Sequence, residues 1–229
     1  MQKRLVRKLD LERFLSQVEH HPTPKPNIEQ YTIPISVAAN MLHIATYVND
    51  DVIHKTVLDL GCGTGRIALG AAFLGAERVV GVDIDRTATK TAFANSVKTG
   101  LGEKVQWICA DIKAVRGRFD TVLQNPPYGV QTRGADRAFL EKALETGRSV
   151  YSLHKSLQKN RAFIERLKTS AEGVSPVDPS PFLKEFIESR GGRIRAVYAM
   201  VMTVPHMFNF HTKRRHEFVV DLYVLEGRR

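Results

Sequence analysis

The chain has 229 residues, 43% of them hydrophobic and 25% charged, which suits one globular domain with a buried core. No apolar run approaches the roughly 20 residues that a membrane-spanning helix needs. The charged N-terminus also lacks the apolar stretch of a secretory signal, so we expect a cytoplasmic protein without a membrane span. The formal net charge of +10 favours an anionic partner, although charge alone does not identify one.

Residues 1–49 predict two helices joined by an extended linker. Apolar side chains recur at helical spacing in residues 5–18. Residues 21–27 contain three prolines, which break a helix and predict an extended conformation. A second helix is predicted to begin near Pro34, because proline suits the first helical turn. We interpret 1–49 as a helical extension and 55–229 as the α/β core of a single domain.

From residue 56 the pattern alternates between short β-branched runs and helical stretches. Strands are predicted at 57–60, 78–84, 105–109, 119–124 and 149–153, and helices at 66–74, 87–97 and 135–145. Two longer strands, 194–204 and 217–225, are predicted to close the chain as an antiparallel pair. This alternation predicts an α/β fold with a doubly wound, mostly parallel sheet, an antiparallel last strand and N-terminal helices.

A glycine-rich turn follows the first predicted strand and leads into the next helix. Its glycines are Gly61, Gly63 and Gly65. Glycines allow a tight turn in which a ligand can touch the backbone, and the helix presents its N-terminal amides to that ligand. In the dinucleotide-binding fingerprint the third glycine stands one position later, where this chain has Arg66, so a nicotinamide nucleotide is less well supported.

Acidic residues stand near the ends of three successive predicted strands. Asp59 precedes the glycine turn, Asp83 closes the second strand and Asp111 follows the third. Ligands of open α/β sheets bind at the carboxyl ends of the strands. We therefore expect Asp83 to accept hydrogen bonds from ribose hydroxyls and Asp111 to accept one from an adenine amine. Any one of these acids, taken alone, could instead be a helix cap.

The fourth predicted strand ends in the most specific motif of the chain, Asn125, Pro126, Pro127 and Tyr128. The two prolines fix φ and stiffen the turn. A rigid turn can hold the side-chain carbonyl of Asn125 beside a main-chain carbonyl, so that two acceptors meet the two N–H groups of an exocyclic amine. Tyr128 can stack on a planar ring. Positioning and electrostatics then supply most of the catalysis, without a strong base.

In this order and spacing the motifs resemble the class I, Rossmann-like methyltransferases that modify planar nitrogen with S-adenosylmethionine as cofactor. The segments 29–31, 136–140, 151–156 and 210–222 narrow the resemblance to the small-subunit ribosomal-RNA adenine-N6 methyltransferases of the methyltransferase-like protein five type. That group includes archaeal members, and we expect this chain to be one of them. The resemblance covers nearly the whole chain. Human-type members carry Phe at the place of Tyr128 and Cys at the place of Thr64, which keeps ring stacking and a small side chain.

The resemblance implies roles for individual residues. The cofactor would be bound by Gln30, Tyr31, Asp59, Gly61, Gly63, Thr64, Gly65, Asp83, Asp111, Ile112 and Asn125. The target adenine would be held by the Asn-Pro-Pro-Tyr motif. The resemblance also implies a small zinc-binding activator subunit. We predict that this subunit adds a strand alongside Val105–Cys109, which should lie at an edge of the sheet and invite pairing.

Several interpretations remain open at this point. Lys213, Arg214 and Arg215 form a basic segment that we expect to contact RNA, whereas His154 and Lys155 either contact RNA or only end a strand. The two cysteines, Cys62 and Cys109, are interpreted as buried thiols, and no metal site is expected. The alternatives to an RNA methyltransferase are a glutamine-N5 methyltransferase acting on a release factor and a catalytically silent RNA-binding assembly factor.

Overall fold

A computed structural model describes residues 5–25, 29–30, 32–129, 134–158, 160–170, 172–205 and 215–228. The strands are β1 (Thr56–Leu60), β2 (Arg78–Asp83), β3 (Val105–Cys109), β4 (Phe119–Gln124), β5 (Gly147–Lys155), β6 (Val174–Pro176), β7 (Arg193–Pro205) and β8 (Arg215–Glu226). The helices are α1 (Lys8–Leu15), α2 (Ile35–His43), α3 (Arg66–Phe73), α4 (Arg86–Lys98), α5 (Ala135–Thr146), α6 (Arg161–Thr169) and α7 (Pro181–Glu188). A π-helical turn (Ile44–Val48) extends α2, and a 3₁₀ turn (Ile112–Ala114) follows β3.

The strands form one mixed sheet in the order β3-β2-β1-β4-β5-β8-β7-β6. Strands β1 to β5 are parallel, while β8 lies between β5 and β7 and runs antiparallel to both. The predicted α/β class, with a mostly parallel sheet and an antiparallel last strand, is therefore confirmed. The order reverses at β1, so the carboxyl ends of β1 and β4 flank the point where such sheets bind ligands.

Helices cover both faces of the sheet. One face packs against α1, α2 and α3, with Leu11, Leu42 and Leu69 fully buried in its core. The other face packs against α5 and α7, where Leu144 and Ile187 are buried. Both faces are closed, which is the usual condition for parallel strands made of continuous apolar runs. In the part of the chain that the structure describes, no helix has the length and apolarity to cross a bilayer.

The structure corrects some predicted elements. The first helix is shorter than 5–18, and Leu5 and Leu9 are exposed rather than part of a buried stripe. Helices α6 and α7 and the short strand β6 were not predicted, because each is brief and is bounded by loop-forming residues. Cys62 is buried as expected, but Cys109 is exposed, because it closes an edge strand.

Candidate active site

A cavity of about 420 Å³ opens at the carboxyl ends of the parallel strands. This volume lies within the range of small-molecule sites. Among the described residues its wall comprises His21, Glu29, Gln30, Thr32, Ile33, Gly61, Cys62, Gly63, Thr64, Arg66, Ile67, Asp83, Ile84, Asp111, Ile112, Lys113, Asn125, Pro127, Ala135, Ala138 and Phe139. The wall therefore brings together the glycine turn, two strand-end acids, the Asn-Pro-Pro-Tyr turn and the N-terminal segment, which are far apart in the sequence.

The glycine turn shapes one side of this cavity with backbone atoms. The amides of Gly61 and Cys62 both donate to the carbonyl of Val82, which holds the turn against the end of β2. Gly63 has a φ of 54°, and a Cβ there would meet nothing within 4 Å, so its backbone faces open space. Gly65 has a φ of 87°, and a Cβ there would collide with the ring of Trp107. Only glycine suits these positions, and the turn leads directly into the N-terminus of α3.

The three predicted acids occupy different environments. Asp59 is buried below the glycine turn, where its Oδ2 accepts from the amide of Ala68 at 3.0 Å, and it does not belong to the described cavity wall. Burial raises the pKa of Asp59 to about 7. Its environment is that of a residue supporting the turn rather than one facing a ligand. Asp111 does reach the wall, but it is exposed, and its Oδ1 accepts from the amide of Lys113 to cap the 3₁₀ turn.

Asp83 is the acid that faces the cavity from the end of β2. It is half-buried, and its two oxygens accept from the amides of Gly63 at 2.8 Å and Asp85 at 2.9 Å. Burial raises its pKa, while these two amides act in the opposite direction. Each carboxylate oxygen has two acceptor sites, so one site on each remains for a ligand hydroxyl.

The N-terminal segment passes over the cavity and is fastened to Asp85. This buried residue caps α4, and its Oδ2 contacts Lys25 Nζ at 2.8 Å and Gln30 Nε2 at 3.1 Å. Burial alone would raise the pKa of Asp85, but the hydrogen bonds from Lys25, Gln30 and the α4 amides hold it well below its usual value. The sequence analysis did not single out Asp85. Gln30 lines the cavity as predicted, and Tyr31 lies outside the described residues.

Arg66 makes a second attachment for the same segment. Its side chain is buried, and its guanidinium donates to the carbonyls of Ile33 at 2.6 Å and Val18 at 3.1 Å. Burial lowers the pKa of Arg66 to about 10, so the group stays charged at neutral pH. In the sequence Arg66 stood out only as the absence of a glycine, whereas the structure places it between α3 and the N-terminal segment.

The Asn-Pro-Pro-Tyr turn borders the cavity with Asn125 and Pro127. The hydroxyl of Tyr128 donates to Asn125 Oδ1 at 3.1 Å, which orients the carboxamide. The Tyr128 ring meets Phe218 edge-on, with 5.8 Å between the ring centroids. The Tyr128 amide donates to Glu29 Oε2 at 2.7 Å. Asn125 thus stands at the cavity with its carbonyl held in place, while Glu29 is a wall residue to which the sequence analysis gave no role.

The predicted RNA-binding residues have different surroundings. Lys155 is exposed at the end of β5. His154 is buried, its Nε2 lies 2.8 Å from Ser152 Oγ, and burial lowers its pKa to about 4. Because a buried neutral ring cannot meet phosphate, the RNA-binding interpretation of His154 is wrong, and it belongs to the core. The backbone of Arg215 begins β8, whereas Lys213 and Arg214 lie outside the described residues.

Comparisons with known proteins agree with this geometry. The family model for ribosomal protein L11 methyltransferase (PrmA) matches residues 40–126, a stretch that ends just after Asn125. A Drosophila melanogaster protein, rRNA N(6)-adenosine-methyltransferase Mettl5, is 38% identical over 94% of each chain. An uncharacterised Methanocaldococcus jannaschii protein is 35% identical over 97% of this chain and 95% of its own. The crystal structure of a candidate RNA methyltransferase from Pyrococcus horikoshii is 30% identical, with a TM-score of 0.81 over 98% of this chain and 100% of that one.

Proposed function

Because the chain belongs to the Mettl5 family of rRNA N6-adenosine methyltransferases, we propose that it methylates N6 of one adenosine in small-subunit ribosomal RNA. At the level of chemistry, the chain is an S-adenosylmethionine-dependent RNA adenine-N6 methyltransferase. The observation that carries the proposal is the position of Asn125. Its oriented carbonyl borders the cavity that also contains the glycine turn and Asp83.

The cavity fits the cofactor. The backbone of Gly63 faces open space, so a ligand can approach it closely. The hydroxyl of Thr64 is buried in the wall and has no hydrogen-bond partner among the described residues, so a polar ligand group would satisfy it. Asp83 retains acceptor sites for the ribose hydroxyls, and buried Ile112 offers an apolar contact for adenine. When bound, S-adenosylmethionine supplies an electrophilic methyl group.

The residues of the chain position the adenine for this transfer. Asn125 Oδ1 has a second acceptor site beside the one that Tyr128 uses, so it can accept one N–H of the target amine. A main-chain carbonyl of the proline pair would accept the other N–H and so point the nitrogen lone pair toward the cavity. Both acceptors stabilise the positive charge that develops on nitrogen, before its extra proton leaves to solvent. No strong base is needed for these reaction steps.

The same turn would also suit the amide of glutamine, so the nature of the acceptor needs a direct test. Purified protein would be incubated with tritium-labelled S-adenosylmethionine and either total rRNA or a release factor. We expect label in rRNA as N6-methyladenosine. Label in the release factor would favour a glutamine-N5 methyltransferase, and no transfer to either would favour a silent assembly factor. Mass spectrometry of digested small-subunit rRNA from a deletion strain would then locate the modified adenosine.

A basic surface beside the turn suits the RNA. Because Gln124 and Ser152 are register partners in the parallel strands β4 and β5, the end of β5 that carries Lys155 points in the same direction as the turn after β4. Helix α6 follows, and its Arg161 and Arg166 are exposed and form no ion pair with any described acid. The Arg166 guanidinium lies 5.1 Å from the centroid of the half-buried Phe163 ring. We propose that Lys155 and α6 bind RNA phosphates together with the basic residues 213–215.

A partner subunit is proposed at the opposite end of the sheet. Strand β3 lies at the edge, where its outer backbone groups can pair with another chain. Several side chains exposed at this edge are apolar: Ile108 on β3 is 45% exposed, and Phe93 and Val97, four residues apart on α4, are 58% and 60% exposed. Exposed apolar side chains next to an unpaired sheet edge favour a protein interface there. We propose that a small zinc-binding activator subunit pairs with β3 and covers these side chains.

A further inference from the structure

The turn that carries Asn125 has few backbone groups with which to fix itself. Pro126 and Pro127 have no N–H, so the Tyr128 amide is the first backbone donor after Asn125. This donor reaches Glu29 Oε2 at 2.7 Å. Hydrogen bonds to a carboxylate are shorter and stronger than those to a neutral acceptor, so the turn is attached to the N-terminal segment by a strong contact.

Glu29 is itself held on the cofactor side of the cavity. Its φ is 52°, a left-handed conformation that persists in a non-glycine residue where the surroundings enforce it. The neighbouring Gln30 supplies that constraint: its Nε2 donates to Asp85 Oδ2 at 3.1 Å, and its Oε1 accepts from the Lys25 amide at 2.9 Å. The pair at 29–30 is therefore attached to the start of α4 through the Gln30 side chain and to the Asn-Pro-Pro-Tyr turn through the Glu29 side chain.

The contact continues from Glu29 to the reacting centre through Tyr128. The same residue that donates its amide to Glu29 donates its hydroxyl to Asn125 Oδ1 at 3.1 Å. Its ring is fixed from the other side by Phe218. A displacement of the Tyr128 backbone would therefore rotate the hydroxyl and release the Asn125 carbonyl. Since catalysis of this kind depends on positioning, a shift of about 1 Å at Asn125 costs on the order of a hundredfold in rate.

We propose that Glu29 is a positioning residue for methyl transfer: its carboxylate anchors the Tyr128 amide and so holds Asn125 in its reactive orientation. Glu29 contacts neither the methyl donor nor the target nitrogen in this scheme, because it acts through Tyr128. The inference rests on the proposed function, in which Asn125 binds the target amine. It assigns to Glu29 an effect on turnover and on the backbone of the turn, and little effect on cofactor affinity.

The test compares Glu29→Ala with Glu29→Gln, whose carboxamide oxygen can still accept the Tyr128 hydrogen bond. Turnover at saturating rRNA should fall about tenfold or more in Glu29→Ala and recover most of the way in Glu29→Gln. Cofactor affinity, measured by calorimetry, should change less than about threefold in both. The matched control is Glu19→Ala, which removes an exposed carboxylate of the same segment that pairs with Lys98, away from Tyr128.

Hydrogen exchange provides a readout that needs no RNA. Within 126–128 the Tyr128 amide is the only exchangeable backbone hydrogen, because the other two residues are prolines. Its exchange should accelerate in Glu29→Ala and stay close to wild type in Glu29→Gln and in Glu19→Ala. Unchanged exchange in Glu29→Ala, or turnover within twofold of wild type, would overturn the proposal. So would a Glu29→Gln enzyme as impaired as Glu29→Ala.

The two arms also separate this inference from the function on which it rests. If the wild-type protein transfers no methyl group to rRNA, the proposed function fails, while exchange of the Tyr128 amide still decides whether Glu29 anchors the turn. If transfer to rRNA is normal and the exchange of Tyr128 is insensitive to Glu29, the function stands and the positioning role is refuted. A loss confined to cofactor affinity in Glu29→Ala would assign Glu29 to the cofactor wall and also overturn the proposal.

Discussion

Both carboxylate oxygens of Asp83 accept hydrogen bonds from backbone amides. The amides of Gly63 and Asp85 fix the carboxylate plane, so a ribose would find acceptors that are already oriented. Preorganised acceptors cost no reordering on binding, which makes them more effective than mobile ones. The same contacts link the carboxylate to the glycine turn, so Asp83 both stabilises the cavity wall and offers acceptors to a ligand.

Asp83→Ala should therefore weaken S-adenosylmethionine binding by about 1.5–3 kcal/mol, the usual worth of a hydrogen bond to a charged group. Calorimetry with the purified protein measures this directly. Asp111→Ala is the matched control for a strand-end acid, and because Asp111 is exposed we expect a smaller loss there. Unchanged affinity in Asp83→Ala would refute its assignment to the ribose.

Asn125→Ala should reduce turnover about a hundredfold or more, since it removes one preorganised acceptor from the transition state. The cofactor affinity should change little, because Gly63, Thr64 and Asp83 remain in the wall. Steady-state kinetics at saturating RNA gives the first value and calorimetry gives the second. Near-normal turnover would remove Asn125 from the catalytic scheme.

At the level of single residues, motif chemistry could be predicted and tertiary surroundings could not. Asn125 and Asp83 reach the cavity because Asn125 directly follows β4 and Asp83 ends β2, and the sheet fixes both strand ends. Cys109 was misjudged, and the role of His154 stayed open, because strand position alone does not reveal the depth of burial. Arg66 was missed because its two acceptors are backbone carbonyls 33 and 48 residues away, which leave no pattern in the sequence.

Among the elements, β3 is the edge strand at which we propose that a partner subunit binds. Its inward side is well packed: Val105 is buried, and Trp107 lies under the glycine turn with its Nε1 donating to Ser96 Oγ at 3.2 Å. A charge at Val105 would therefore damage the fold itself. Ile108 points away from this core and is 45% exposed, so it is the position at which docking can be tested.

Ile108→Asp should weaken binding of the activator subunit about tenfold or more, because it places a charge in an apolar interface. Its thermal midpoint should stay close to wild type, since the side chain is not in the core. The matched control is Phe182→Asp, an apolar position on α7 that is 57% exposed, which should bind the partner normally. The chains are coexpressed and then separated, and calorimetry measures the affinity of each variant for the partner. If Ile108→Asp binds the partner as tightly as Phe182→Asp does, docking at β3 is refuted.

Helix α6 offers a comparable test for RNA. Replacing Arg161 and Arg166 together with Ala should flatten the plot of log affinity against log salt by about 0.7 for each lost contact with single-stranded RNA. The control pair is Arg78→Ala with Lys104→Ala, which removes two exposed cations at the amino ends of the strands, away from the cavity. An unchanged slope of log affinity against log salt in the α6 variant would show that RNA binds to another surface.

The elements that alternate regularly were predictable, and the short ones were not. The bounds of β3 and β4 are the same in prediction and structure, and each strand directly follows a charged residue, Lys104 or Arg118. Helix α7 has eight residues after a proline, too few for helical periodicity to stand out. The edge position of β3 could be predicted from topology. The burial of Val105 could not, because it depends on the packing of α4 against one face of the strand, whereas Ile108 stays exposed.

On the scale of the whole molecule, the N-terminal segment closes a cavity that the sheet alone leaves open. His21, Glu29 and Gln30 reach the wall from a part of the chain that precedes the sheet. The segment is attached at three places: Arg66 holds the carbonyls of Val18 and Ile33, Asn95 bonds the backbone of Glu19, and Asp85 holds Lys25 and Gln30.

Two of these attachments are made at the point where a helix begins beside the cavity. Arg66 is the first residue of α3 and Asp85 caps α4. Both helix starts therefore lie next to the cavity and also bind the N-terminal segment. Cofactor affinity should therefore depend on contacts that lie outside the cofactor-binding motifs. Arg66 is the more decisive of the two, because its guanidinium is buried and bridges both ends of the segment.

Arg66→Met tests this dependence. Methionine keeps much of the buried volume but leaves two backbone carbonyls without their donor, at about 1–3 kcal/mol for each unsatisfied group. The removal of a desolvated charge offsets part of that cost. We expect residues 19–25 to become more sensitive to limited proteolysis and cofactor affinity to fall, while the sheet keeps its protection from hydrogen exchange. The matched control is Arg86→Met, which changes the exposed first residue of α4 and should behave as wild type. If Arg66→Met shows the proteolysis pattern and cofactor affinity of Arg86→Met, the N-terminal segment is held without Arg66, and its closure of the cavity depends on Asp85 and Asn95 alone.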